Sequence, residues 1–394
     1  MRARHLIMAG VAATALSNSG HLNPMSLLGQ SAAGQGDPWS TVDGKVGEIV
    51  SERSESDWRA LQAGPEQARS RSISKLLDQA VVILQDSTAL NERNEMRGIL
   101  EKIRGEQDAV AKMRVQMLSA PDGSGFTDRI MYSVVGFIYP SKQTYESRIS
   151  SAQDRIAELT AQTSSVKKRF RDDLAKIGID LSSDQVDGLM RLATGEDIVE
   201  MQAVYENLRT INDRLLKATL GSDESLQVAK RYYGIYTVLL EIALRMHDKF
   251  IDKVDEEYVA NLNKIIEQTK TLEAQANDML AKQRDPRLRG VIQDNIKAQD
   301  LTLRTAGVYR DHLISERDQV AAARERVRGE HSIAVNTYQT VTVSSNLVGM
   351  LRESGKNFET LMQLQVPVLR PFANQEMQQE FDRLTAKIQA APTS

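Results

Sequence analysis

Apolar residues recur along most of this chain at steps of three and four. Met96, Ile103, Val110 and Met117 fall one heptad apart, with Ile99 and Met113 three residues after the first and third of them. A second series, Tyr145, Ile149, Ala152, Ile156, Leu159, Thr163, Val166 and Phe170, alternates steps of four and three without interruption. Such a repeat places one apolar stripe along a helix and buries it against a partner helix. Two seamed helices joined by one short segment predict an antiparallel hairpin, with arms of about 45 Å at about 1.5 Å per residue.

Between the two seams the pattern changes. GSGFTDRIMYSVVGFIYPSKQ carries an uncharged run from Ile130 to Tyr139, fenced by Gly123 and Gly125 before it and Pro140 after it. At helical spacing Ile130, Val134, Phe137 and Ile138 share one face, so the apolar tip at 125–140 is expected to fold back on its own bundle. Phe126, Ile130, Val134, Phe137, Ile138 and Tyr139 are therefore the candidate interaction residues, whether they serve as local core, as a docking surface or as a membrane element.

Downstream, Ser182 with Gln185 reads as a capping box opening a short helix, and Thr194 with Asp197 as a second start. Ile198, Met201, Val204, Leu208, Ile211 and Leu215 form another seam. The next segment, Tyr232 to Phe250, is apolar on nearly every side, but Glu241 and Arg245 interrupt it at a spacing of four, where they can pair. That predicts a central helix surrounded by neighbours rather than a membrane span. Beyond it the pattern thins to Ile251, Val254, Tyr258, Leu262 and Ile265. Asp285 and Pro286 cap and open a further helix. From Pro286 to about Leu364 the chain reads as one long helix or two, weakened at Gly329 and at Thr340 to Val343. Pro367 and Pro371 then break the chain, and Asn374 can cap a last short helix.

The fold class expected is all-α: an elongated antiparallel helical bundle with coiled-coil hairpins and no substantial sheet. Composition agrees, because aromatics are 5% and charged residues 26% of the 394, the balance of long amphipathic helices with narrow stripes. The N-terminus sets Arg2 and Arg4 ahead of an apolar stretch and small residues, so residues 1–17 are expected to be a signal peptide and 18–37 a flexible leader. Residues 38–220 then form the hairpin region and 221–394 the long-helix region.

Charge and chemistry narrow the function classes. Fifty basic and 53 acidic residues alternate along the chain and give a net charge of −3, so nucleic acid is not an expected partner. KKRFR at Lys167 to Arg171 is followed at once by Asp172 and Asp173 and reads as a solvated helix face. No cysteine is present. His5, His21, His247, His312 and His331 show no metal-ligand spacing, and Asp248, Asp252 and Asp255 are interleaved with Lys249 and Lys253 as on a salt-bridged helix face. No catalytic residue, metal ligand or cofactor-binding residue is assigned and no cofactor is expected. The chain reads as a non-enzymatic, exported and envelope-associated scaffold, periplasmic or secreted, acting through helix contacts with a protein partner or with itself. The alternative is a membrane-active helical protein that uses residues 126–139 for shallow bilayer contact. Without a signal peptide it would be a cytoplasmic coiled-coil protein.

Overall fold

Helix signals written in the sequence are realised almost one for one in a computed structural model, which describes residues 38–61, 71–85, 87–118, 120, 141–177, 179–220, 226–341, 347–363 and 374–390. Among these residues there is no strand. The helices are α1 (Pro38–Glu52), α2 (Glu55–Ala60), α3 (Arg71–Gln85), α4 (Thr88–Leu118), α5 (Lys142–Lys176), α6 (Ser183–Arg191), α7 (Gly195–Leu220), α8 (Leu226–Asp252), α9 (Ala260–Lys282), α10 (Pro286–Thr340), α11 (Leu347–Leu361) and α12 (Gln375–Ala390). A π-helical turn, Lys253–Val259, joins α8 to α9. The proposed signal peptide, the leader, the tip 125–140 and the linker with Pro367 and Pro371 lie outside the described residues.

Helix starts follow capping chemistry. Ser182 accepts from Gln185 N while Gln185 reaches back to the Ser182 amide, which completes the expected box at α6. Ser141 caps α5, Asp285 accepts from Arg287 N ahead of Pro286 at α10, and Asn374 accepts from Glu376 N at α12. The second start at Thr194 is realised as well, since α7 begins at Gly195, but the side chains of Thr194 and Asp197 do not cap it. Thr194 donates to Glu316 at 2.8 Å, and Asp197 accepts from Lys253 and Tyr258, so tertiary partners engage both side chains.

The bundle is organised around α8. Every residue from Tyr232 to Leu244 is buried, because α1, α3, α7 and α10 enclose the helix on all sides. Tyr232 stacks on Tyr236 there, Tyr233 meets both edge-on, and Tyr236 packs against Phe358 of α11. One contiguous core runs from Val42 and Ile49 of α1 to Phe381 and Ile388 of α12, joining the helices of 38–220 to those of 221–394. No described helix is long and apolar enough to cross a membrane.

Glu241 and Arg245 do not pair. Arg245 forms a two-pronged bond to Asp78 of α3, and Glu241, fully buried, takes Arg53 at 2.5 Å and His331 at 3.2 Å. An i,i+4 pair on an exposed helix gains only a few tenths of a kcal/mol. Inside a bundle, by contrast, a carboxylate needs charged partners on the elements that cover it. The same holds for the Asp248 face, where the partners lie on α10 rather than on Lys249 and Lys253. Arg324 binds Asp248 and Arg317 binds Asp255. KKRFR is exposed in part, as expected, but Phe170 is fully buried and Arg169 bridges to Glu92 and Glu95 of α4.

The molecule is elongated. α10 is one helix of 55 residues, so it is about 80 Å long, whereas a sphere of this chain length would be roughly 55 Å across. Gly329 lies inside it without a break, and the β-branched stretch from Thr340 marks its end.

Candidate functional site

Two pairs of helices leave the same end of the bundle as arms. The first is the expected hairpin, α4 with α5. Met96, Ile99 and Val166 form its own small core, with Ile103 and Leu159 packed against it, and Arg155 binds Glu106 farther out. From Arg97, which touches the bundle through Glu196, to Leu118 the arm runs on for about 30 Å. Its end is uncovered, with Val115 68% and Leu118 82% exposed. Phe126, Ile130, Val134, Phe137, Ile138 and Tyr139 follow that end in the chain and lie outside the described residues.

The second arm, α9 with the first part of α10, was not anticipated as a hairpin. It continues outward the antiparallel pairing of α8 with α10. Glu241 meets His331, Asp248 meets Arg324 and Asp255 meets Arg317, each pair seven residues farther along both helices. A step of seven on both helices returns the same faces to contact, as in a coiled coil. In the sequence Asp285 and Pro286 mark only a helix start, whereas the turn at 283–285 reverses the chain.

At the fork between the arms lies a cleft of about 470 Å³, lined by Arg97 and Glu101 of α4, Glu196 of α7, Lys253 and Tyr258 of the π-turn, and Gln389 of α12, among others. Its floor is a chain of ion pairs. Arg93 and Arg97 converge on Glu196 at 2.8 and 2.9 Å. Lys253 and Tyr258 converge on Asp197, both at 2.7 Å. Burial lowers the pKa of Arg93, with Glu196 opposing the shift. Burial also opposes the charge on Lys253, but Asp197 together with Glu257 and Glu200 offsets it, and the ammonium is held above its ordinary value. The Tyr258 phenol is pushed up by burial and by the Asp197 charge, so it stays a donor. A π-turn brings Lys253 and Tyr258, five residues apart, to one carboxylate, and such turns recur at functional positions.

Beside this cleft a groove of about 540 Å³ runs between the base of the first arm, α6 and α12. Lys167 with Asp187 and Arg191 with Asp382 line it as pairs. Among the described residues no group of acids, histidines and cysteines is placed to hold a metal ion. His247 is buried with its Nε2 hydrogen-bonded to Tyr205, His331 is tied to Glu241, and His312 to Glu316. The arrangement locks arms to a bundle, since its charged groups pair with one another across helices.

Comparison of the chain with protein-family models, with curated proteins and with solved structures gave no match.

Proposed function

We propose that this chain is a non-enzymatic, exported helical scaffold that acts through helix–helix contacts. The observation that carries the proposal is the fork: two antiparallel helix pairs leave one end of a single bundle and keep apolar side chains exposed along their outer halves. Isolated exposed apolar residues are ordinary, whereas apolar positions gathered at the ends of arms favour contact with another helical surface. The test is photo-crosslinking in the native host with a photoreactive residue at Leu118 or at Met279, and at fully buried Val238 as the control. Discrete protein adducts from the arm positions alone support the proposal. Adducts from neither arm position sink it.

A second reading has its own observation. The end of the first arm leads directly into the apolar stretch 126–139, and Val115 and Leu118 beside it are exposed. In this reading the arm brings that stretch to a bilayer for shallow contact. Vesicle flotation decides it: Phe137→Asp abolishes lipid binding without lowering the melting temperature if the stretch is a membrane element.

A further inference from the structure

We propose that the outer flank of the second arm is a self-association surface, against which the same flank of a second copy of this chain packs around a twofold axis. The inference rests on the scaffold reading above and assigns its surface and partner.

The burial pattern fixes which residues form this flank. The shielded positions that recur at steps of three and four are Ile266, Thr269, Glu273, Ala276 and Leu280 on α9 and Ile292, Ile296, Gln299, Leu303 and Ala306 on α10, and these are the inward rows. In an antiparallel pair the residues just before every second inward position border the same side of both helices. On α9 that row is Ile265, Leu272 and Met279, and on α10 it is Leu288, Asn295, Thr302 and Tyr309. Gln268, Gln275, Val291 and Ala298 stand beside these rows.

Two properties set this flank apart. From Ile265 to Met279 on α9 and from Leu288 to Ala298 on α10 its rows carry no charge, while Glu267, Lys270, Asp278, Asp294, Lys297 and Asp300 all lie on other faces. It is also open to solvent, with Leu272, Met279, Leu288 and Val291 between 50 and 58% exposed.

The inner end of the same flank is already an interface. α12 lies across it, where Arg383 donates to Thr302 and Phe381 stacks on Tyr309 with ring centroids 3.9 Å apart. Thr302 and Tyr309 belong to the row that continues outward as Asn295 and Leu288. The flank therefore takes a packed helix at its base and lies bare beyond it.

Its chemistry suits a copy of itself. Residues near a twofold axis meet their own kind, so a charge there would repel its copy. Gln268, Gln275 and Asn295 both donate and accept, and can pair with the same residues across the axis. The bare strip is about 22 Å long and two helices, or about 20 Å, wide. It thus offers about 450 Å² per copy against the roughly 800 Å² of a standard interface, which makes the association weak and reversible.

Sedimentation velocity of the full chain at rising concentration tests this. A monomer–dimer equilibrium is expected, and Leu272→Glu with Leu288→Glu should raise its dissociation constant at least about tenfold while the melting temperature stays unchanged. A chain with Met279→Glu and one with Met279→Lys should each associate poorly alone and recover when mixed. A wild-type chain that stays monomeric throughout overturns the proposal, and so does association indifferent to the paired Glu substitutions, although that second result would leave the scaffold reading standing. A large fall in melting temperature from the Glu substitutions also overturns it, because the flank would then be covered within its own chain.

Discussion

Glu241 Oε1 lies 3.2 Å from His331 Nε2 in the middle of the bundle, and the other carboxylate oxygen takes Arg53 from the end of α1 at 2.5 Å. The cluster ties the N-terminal helices to α8 and α10 through groups that are essentially free of solvent. Glu241→Ala would strand the Arg53 guanidinium, and breaking a buried pair from one side costs about 3–5 kcal/mol. Chemical denaturation should show a loss of that size. Removing Arg53 as well should cost less than the sum of the two single changes.

The pH dependence should show two windows. Burial alone would raise the Glu241 pKa, but Arg53 and His331 overcome it and hold the carboxyl down to about 2 from an ordinary 4.5. Its stabilising contribution is complete above pH 4.5 and is lost as the pH falls toward 2. Burial lowers His247 from 6.5 to about 3, helped by Arg324 and Arg326. The unfolded chain therefore takes up a proton that the folded chain refuses, and stability falls from pH 6.5 downward until about 3. Between pH 6.5 and 4.5 only the histidine of these two contributes, with a slope of at most about 1.4 kcal/mol per pH unit. His247→Gln should flatten denaturation midpoints across that interval and leave the fall below pH 4.5 in place.

Gly195 and Gly355 should respond differently to alanine. A Cβ at Gly195 would sit 2.1 Å from the Leu189 carbonyl oxygen, which is backbone and cannot step aside. At Gly355 the nearest atom, at 2.5 Å, is the end of the Leu216 side chain, which can change rotamer. Gly195→Ala should lose at least the roughly 1–3 kcal/mol typical of overpacking, and Gly355→Ala should lose less. Differential melting curves compare them directly.

The arm register can be locked chemically, because the chain contains no cysteine to interfere. Thr269 of α9 and Leu303 of α10 both sit at inward positions of the arm, and a register that sets them opposite each other can be tested directly. Thr269→Cys with Leu303→Cys should cross-link on mild oxidation and stabilise the arm by about 3–4 kcal/mol. Thr269→Cys with Ile296→Cys, one heptad out of step, should stay reduced.

The seams of α4, α5 and α7 were legible in the sequence, since a repeat of three and four is a local property of the chain. The central position of α8 was legible too, because only a helix covered on all sides has no polar face. Partner choice was less readable. Spacing suggested Arg245 for Glu241, yet Asp78, Arg53 and His331 decide both pairings from far away in sequence. Thr194 and Asp197 have the spacing of a cap but face α10 and the π-turn, whose proximity no local pattern records. The second arm escaped notice because its inward rows include Thr269, Glu273 and Gln299, which dilute the apolar repeat.

The antiparallel pairing of α9 with α10 also constrains how the molecule can change by inheritance. An insertion in α9 alone would rotate every residue between it and the turn at 283–285 away from its opposite number on α10. Length can change without that loss only when both helices gain or shed seven residues at equal distance from the turn, in steps of about 10 Å. Chains descended from the same ancestor should therefore differ in reach by matched sevens, like rungs added to both rails of a ladder.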